Sequence, residues 1–69
     1  MEIEISVNDN NLKIAADSIV SDLLTNLNYQ NTKGIAVALN GEVLAKDEWR
    51  RRVLKSKDKV TIITATQGG

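Results

Sequence analysis

Residues 2–7, Glu-Ile-Glu-Ile-Ser-Val, alternate polar and apolar with period two. That period puts Ile3, Ile5 and Val7 on one face of a predicted strand and Glu2, Glu4 and Ser6 on the other. Asn8-Asp9-Asn10-Asn11 follows, four short polar side chains that bond their own backbone and tolerate left-handed conformations, and it predicts a hairpin turn. Leu12 to Ala15 then reads as a second, shorter strand. The period next changes. Val20, Leu23, Leu24 and Leu27 stand at i, i+3, i+4 and i+7, one apolar stripe along a helix. Ser18 or Asp17 is expected to cap its start, and Asp22 sits near the positive helix end. The polar stretch from Asn28 to Gly34 ends it. Thr25 and Asn26 are poor helix formers, so packing must hold this helix.

Ile35 to Leu39 is apolar throughout and predicts a third strand, buried on much of both faces. Asn40-Gly41 is the strongest hairpin signal in the chain, because a type I′ turn needs positive φ at both central positions. Glu42 to Leu44 returns as a short fourth strand. Lys46 to Leu54 predicts a helical turn that carries Trp49 and Val53 beneath the sheet. Lys57-Asp58 makes a turn, and Lys59 to Thr66 alternates again, with Val60 and Ile62 inward and Thr61 and Ile63 outward. The order β-β-α-β-β, a helical turn, then β predicts an α+β protein of the β-grasp kind. Its sheet has four to five strands, the first and last parallel at the centre, with one helix across one face. The long connections obey the right-handed crossover rule. No repeat or second domain is visible: residues 1–66 read as the β-grasp domain and 67–69 as a flexible Gly-Gly tail.

Composition narrows the chemistry. The chain has 69 residues with 9 Lys+Arg against 9 Asp+Glu, His 0 and Cys 0. Without Cys or His it has no thiol nucleophile, disulfide, imidazole base or ordinary zinc site. The balanced charge argues against a nucleic-acid or membrane-surface binder driven by bulk charge. The apolar run Ile35 to Leu39 is far too short to cross a bilayer, and no signal segment is expected. A domain of this size buries only about 60% of the surface its unfolded chain exposes, which leaves little stability to spend on a polar catalytic cleft. Absence of Cys fits a cytoplasmic protein. The expectation is a small soluble domain, not an enzyme, with no cofactor and no metal, acting through partners.

One feature still offers chemistry. The chain ends Ala65-Thr66-Gln67-Gly68-Gly69. Extended, residues 66–69 reach at most roughly 13 Å at about 3.3 Å each, enough to carry a terminal carboxylate into another protein's groove. Glycine has no Cβ, so Gly68 gives the backbone close access and the Gly69 carbonyl is unhindered. ATP can convert a carboxylate to an acyl-adenylate, which a sulfur nucleophile can attack to leave a thiocarboxylate. No side chain of this chain is needed. Taken alone the dipeptide is weak, since chain termini are commonly Gly-rich.

The whole chain resembles the ThiS family of ubiquitin-like sulfur carriers in thiamine biosynthesis. The resemblance rests on the first alternating strand, the Val37-Ala38-Leu39-Asn40-Gly41-Glu42 segment, the Glu48-Trp49 pair, the Lys57-Asp58 turn and Gly68-Gly69. Members often have Val-Pro where this chain has Leu44-Ala45, and Gly-Asp where it has Lys57-Asp58; neither departure touches the tail. The resemblance implies adenylation of Gly69 by a ubiquitin-activating-type (ThiF-like) enzyme, with Gly68 as its access partner. It further implies sulfur supplied by a sulfurtransferase or cysteine desulfurase, and delivery to thiazole synthase. Sister carriers for molybdopterin synthesis or tRNA thiolation share the tail chemistry, and a ubiquitin-like modifier or interaction module is a reading from another class.

Other features have plainer readings. Trp49 followed by Arg50, Arg51 and Arg52 has the look of an RNA-binding patch, yet the cluster is short, and a solvated face with Trp49 turned inward is favoured. Asp47 and Glu48 are adjacent and do not converge on one point. The sheet face opposite the helix is expected to show Ala36, Ala38, Thr61 and Ile63, a small-residue surface suited to docking a flat partner. Neither nucleic acid nor membrane is an expected partner.

Overall fold

The computed structural model describes residues 1–29 and 34–64. Along the chain these form β1 (Glu2–Val7), β2 (Asn10–Ala15), α1 (Val20–Asn26), β3 (Ile35–Leu39), β4 (Glu42–Leu44), α2 (Lys46–Trp49) and β5 (Lys59–Thr64). They make one five-stranded sheet in the order β2-β1-β5-β3-β4, so β5, the last described strand, lies at the centre. It runs parallel to β1 (Val7 opposite Val60) and antiparallel to β3, from Ile35 opposite Thr64 to Leu39 opposite Val60. This is the expected β-grasp arrangement, with five strands.

Left-handed residues set both hairpins. Asn8 and Asp9 have φ of 50° and 70°. Positive φ at two consecutive positions is the type I′ requirement, and its twist matches that of the flanking strands. Pairing therefore resumes at once, with Val7 opposite Asn10. β2 begins two residues before the expected Leu12, because the turn needs only Asn8 and Asp9. The second hairpin follows expectation: Asn40 and Gly41 have φ of 52° and 87°, and Leu39 pairs with Glu42. A Cβ built on Gly41 meets nothing within 4 Å, so backbone conformation and not space explains the glycine.

The helix cap differs from expectation. Asp17 is left-handed (φ 70°) and the Ser18 hydroxyl donates back to the Ala15 carbonyl at 2.7 Å, so neither caps α1. Ile19 occupies the N-cap position, and its N–H donates to the Asp22 carboxylate at 3.1 Å. That bond is the returning half of a capping box. Val20, Leu23 and Leu24 are buried, as the stripe requires. The helix stops where Asn28 turns left-handed (φ 67°), with the Tyr29 N–H donating to the Leu24 carbonyl at 2.9 Å.

The expected helical stretch to Leu54 closes early, at Trp49, and the chain becomes extended. Leu54 N–H donates to the Ser18 carbonyl at 2.8 Å, Val20 N–H donates to the Arg52 carbonyl at 3.1 Å, and Ile19 and Val53 form an antiparallel bridge between them. Extended backbone alternates its side chains. Leu54 therefore points inward at 2% exposure and Val53 outward at 42%, which reverses the expected burial of Val53. Trp49 is buried as expected. The core is aliphatic apart from this one indole, and no polar or charged residue among those described is buried.

Two substitutions test that register. Leu54→Ala should lower stability by about 2–5 kcal/mol, the range for an emptied core site, whereas Val53→Ala should cost under about 1 kcal/mol. Urea unfolding of both variants measures the contrast, and equal losses would mean that the bridge is wrongly registered.

Candidate functional site

The residues expected to carry chemistry, Gly68 and Gly69, lie outside the described residues. The described part is the strand that leads to them, and its neighbours hold it with side chains as well as backbone. Where β1 ends, Asn8 continues the pairing. Its side-chain Oδ1 accepts from the Ile62 N–H at 2.8 Å and its Nδ2 donates to the Ile62 carbonyl at 3.3 Å. One primary amide thus stands in for a peptide unit. The left-handed Asn8 backbone adds an N–H donated to the Val60 carbonyl at 3.0 Å.

The start of β5 has a second such clasp. Asn40 N–H donates to the Lys59 carbonyl at 2.7 Å, and Lys59 N–H donates to Asn40 Oδ1 at 2.9 Å. Asn40 Nδ2 donates to Asp58 Oδ1 at 3.1 Å, and Asp58 Oδ2 accepts from the Lys55 N–H at 2.7 Å. Asparagine can do both jobs in each place because it holds a donor and an acceptor on a short stem and tolerates positive φ. Neither clasp was expected from sequence, where Asn8 and Asn40 read only as turn residues.

The expected docking residues come together on the sheet face away from α1. Ala36 lies opposite Ile63, and Ala38 opposite Thr61, on the neighbouring strands β3 and β5. Directly opposed residues share a face. Ala36, Ala38 and Thr61 are half-buried, and Ile63 is exposed. The pattern also includes a residue that was not expected: Val43 on β4 lies opposite Ala38 and is 72% exposed. A row Val43–Ala38–Thr61 thus crosses three strands, with Ile63 and Ala36 beside it. The signal was available, because the two-residue Asn40-Gly41 turn that puts Leu44 in the core must turn Val43 outward.

The basic run behaves as its plainer reading requires. Arg52 pairs with Glu48 at 3.3 Å and with Glu42 at 3.6 Å. Arg51 Nε donates to the Asp47 carbonyl at 3.5 Å, and Trp49, at 4% exposure, offers no stacking surface. Exposed pairs of this kind stabilise little. Among the described residues no group of three or more His, Cys, Asp or Glu could hold a metal ion, and no helix is long and apolar enough to cross a membrane.

Comparison with known proteins agrees with this geometry. The ThiS family model matches residues 2–69. The chain is 27% identical over 67 residues to the sulfur carrier protein ThiS of Escherichia coli (strain K12), covering 97% of this chain and 100% of that protein. Its fold is similar to the crystal structure of the thiamine biosynthesis protein ThiS from Geobacter metallireducens, with a TM-score of 0.83 and 28% identity. That match covers 97% of this chain and 100% of the other.

The asparagine clasp makes its own prediction. Asn8→Ala should cost about 1–3 kcal/mol, since it leaves the Ile62 N–H and carbonyl unpaired in the middle of the sheet. Native-state hydrogen exchange should show faster exchange at Ile62 than at Val37. A variant whose Ile62 amide stays fully protected would remove the clasp from the account.

Proposed function

The chain belongs to the ThiS family, and on that footing we propose that it is a sulfur carrier serving thiazole formation in thiamine biosynthesis, loaded at the Gly69 carboxylate. The observation that carries the reading is the course of β5. The central strand, bonded on both flanks, leads straight toward a segment that ends in Gly68-Gly69. A partner that holds that segment gains a reactive end fixed to the central strand of the sheet. The name of the Escherichia coli relative, a sulfur carrier, supports the same reading.

The chemistry then divides between proteins. A ubiquitin-activating-type (ThiF-like) enzyme joins the Gly69 carboxylate oxygen to the α-phosphorus of ATP and releases pyrophosphate. The acyl-adenylate so formed has AMP as its leaving group. The terminal sulfur of a cysteine persulfide on a sulfurtransferase or cysteine desulfurase attacks the carbonyl carbon and expels AMP, giving an acyl disulfide. A thiol then attacks the donor cysteine's sulfur, forms a disulfide with it and releases the thiocarboxylate. Thiazole synthase receives the sulfur. No acid, base or nucleophile is asked of the domain, which has neither His nor Cys. Its part is to be recognised, and the face formed by Ala36, Ala38, Thr61 and Ile63, extended by Val43, is the docking surface. Small side chains keep that face flat, while Ile63 and Val43 supply exposed apolar area at its centre and edge. The protein works in the cytoplasm.

Intact-mass measurement after incubation with ATP, the adenylating partner and a sulfur donor should show replacement of one oxygen by sulfur. Deletion of Gly69 should abolish the change, and a protein that is never modified by any cognate adenylating enzyme would refute the reading. Ile63→Asp should slow loading by roughly tenfold or more, the size of a lost interface anchor, while moving the unfolding midpoint little because Ile63 already faces solvent. Growth of a deletion strain without added thiazole would instead point to a sister pathway.

A further inference from the structure

The balanced total charge hides a strong segregation. Residues 46–59 hold seven of the nine basic side chains and three of the nine acidic ones, net +4, so the rest of the chain carries −4. Part of this basic segment surrounds a depression of about 410 Å³ lined by Leu39, Asn40, Arg51, Arg52, Val53, Lys55 and Asp58. It lies at the end of the sheet away from the exit of β5. Leu39 is opposite Val60 and Ile35 is opposite Thr64, so roughly 13 Å of strand, at about 3.3 Å per residue, separates the depression from the exit of β5.

The charges in this depression are not equally available. Arg52 is shared between Glu48 and Glu42. Asp58 is occupied on both oxygens, by the Asn40 amide and by the Lys55 backbone N–H. Arg51 and Lys55 are left without a carboxylate partner among the described residues, and both side chains are exposed. Between them stands Val53, an aliphatic side chain that the Ile19 bridge turns outward to 42% exposure, with Leu39 contributing to the same depression. Two cations with no carboxylate partner among the described residues, beside an apolar surface, match a carboxylate and an aliphatic side chain offered together.

We infer that this depression is a second docking point, taking an acidic segment of a partner protein in which an aliphatic residue stands beside Asp or Glu. A protein fits better than a nucleic acid because base stacking needs an exposed aromatic, and Trp49 is buried. It fits better than a free anion because an anion makes no use of Val53 or Leu39. Opposite charge on the two surfaces speeds encounter and sets orientation. Because the depression is remote from the exit of β5, its occupant can be held while another protein holds the segment beyond Thr64, and the inference does not depend on the chemistry of Gly69.

The test uses the full chain, isotope-labelled, and a blocked peptide Glu-Glu-Leu-Glu-Glu as probe. At low salt, backbone amide shifts should concentrate at residues 39–40 and 51–58. Arg51→Glu combined with Lys55→Glu should weaken binding by about tenfold or more, as loss of charged hydrogen bonds predicts. Val53→Ser should weaken it measurably while leaving the spectrum otherwise native. Absence of binding, shifts spread equally to Lys13 and Lys46, or equal shifts with inorganic phosphate or with the Gln-Gln-Leu-Gln-Gln analogue would overturn the inference. Unchanged affinity in Val53→Ser would overturn it as well, since simple charge attraction would then suffice.

Discussion

The structure depends on inserting one strand between two others that are already joined to different parts of the chain. Until β5 takes its place, the β1–β2 hairpin and the β3–β4 hairpin have no backbone contact with each other, and neither hairpin alone has a sheet on which α1 can settle. Each flank of β5 is secured by a different asparagine, Asn8 on the β1 side and Asn40 on the β3 side. Both occupy left-handed turns, so the residue that reverses the chain also reaches across to the incoming strand. That economy matters in a domain this small, which has no disulfide and only an aliphatic core with one Trp in it. Closing a contact between residues 8 and 62 costs chain entropy that local turns do not, and the return is a continuous hydrophobic layer beneath all five strands.

The same layout separates tasks in space. One face of the sheet is spent on α1 and the core. The other is partly apolar, carrying the alternate side chains of β3, β4 and β5. One end of the sheet leads to the tail, and the other gathers the basic segment. A protein of a family that acts with partner enzymes has reason to keep these surfaces apart. The reaction proposed at Gly69 asks for no pocket within the domain.

Much of the fold was legible in the sequence because its signals are local. Period two marks Glu2–Val7 and Lys59–Thr64, the i, i+3, i+4, i+7 stripe marks α1, and Asn40-Gly41 sets the β3–β4 register. What escaped reading depends on distant partners. Val53 and Leu54 are both apolar, and only the bridge to Ile19 decides which one turns inward. Asn10 and Asn11 look like turn residues until β1 offers them a strand to pair with. Asn8 gives no local hint that it will bond a residue 54 positions away. The candidate site divides the same way. The paired placement of Ala36, Ala38, Thr61 and Ile63 follows from alternation, and Val43 follows from the turn, whereas the reading of Gly68 and Gly69 rests on sequence and family membership.

The parallel and antiparallel neighbours of β5 have a mechanical consequence. A partner that grips the segment beyond Thr64 and draws it along its groove pulls on β5 along the strand axis. The bonds to β1 and β3, and both asparagine clasps, lie across that axis. Force in this direction is shared by all of them together, as in a lap joint, and they cannot peel apart one by one. The domain is built as an anchor for a tether, able to keep its shape under a pull on the segment beyond Thr64.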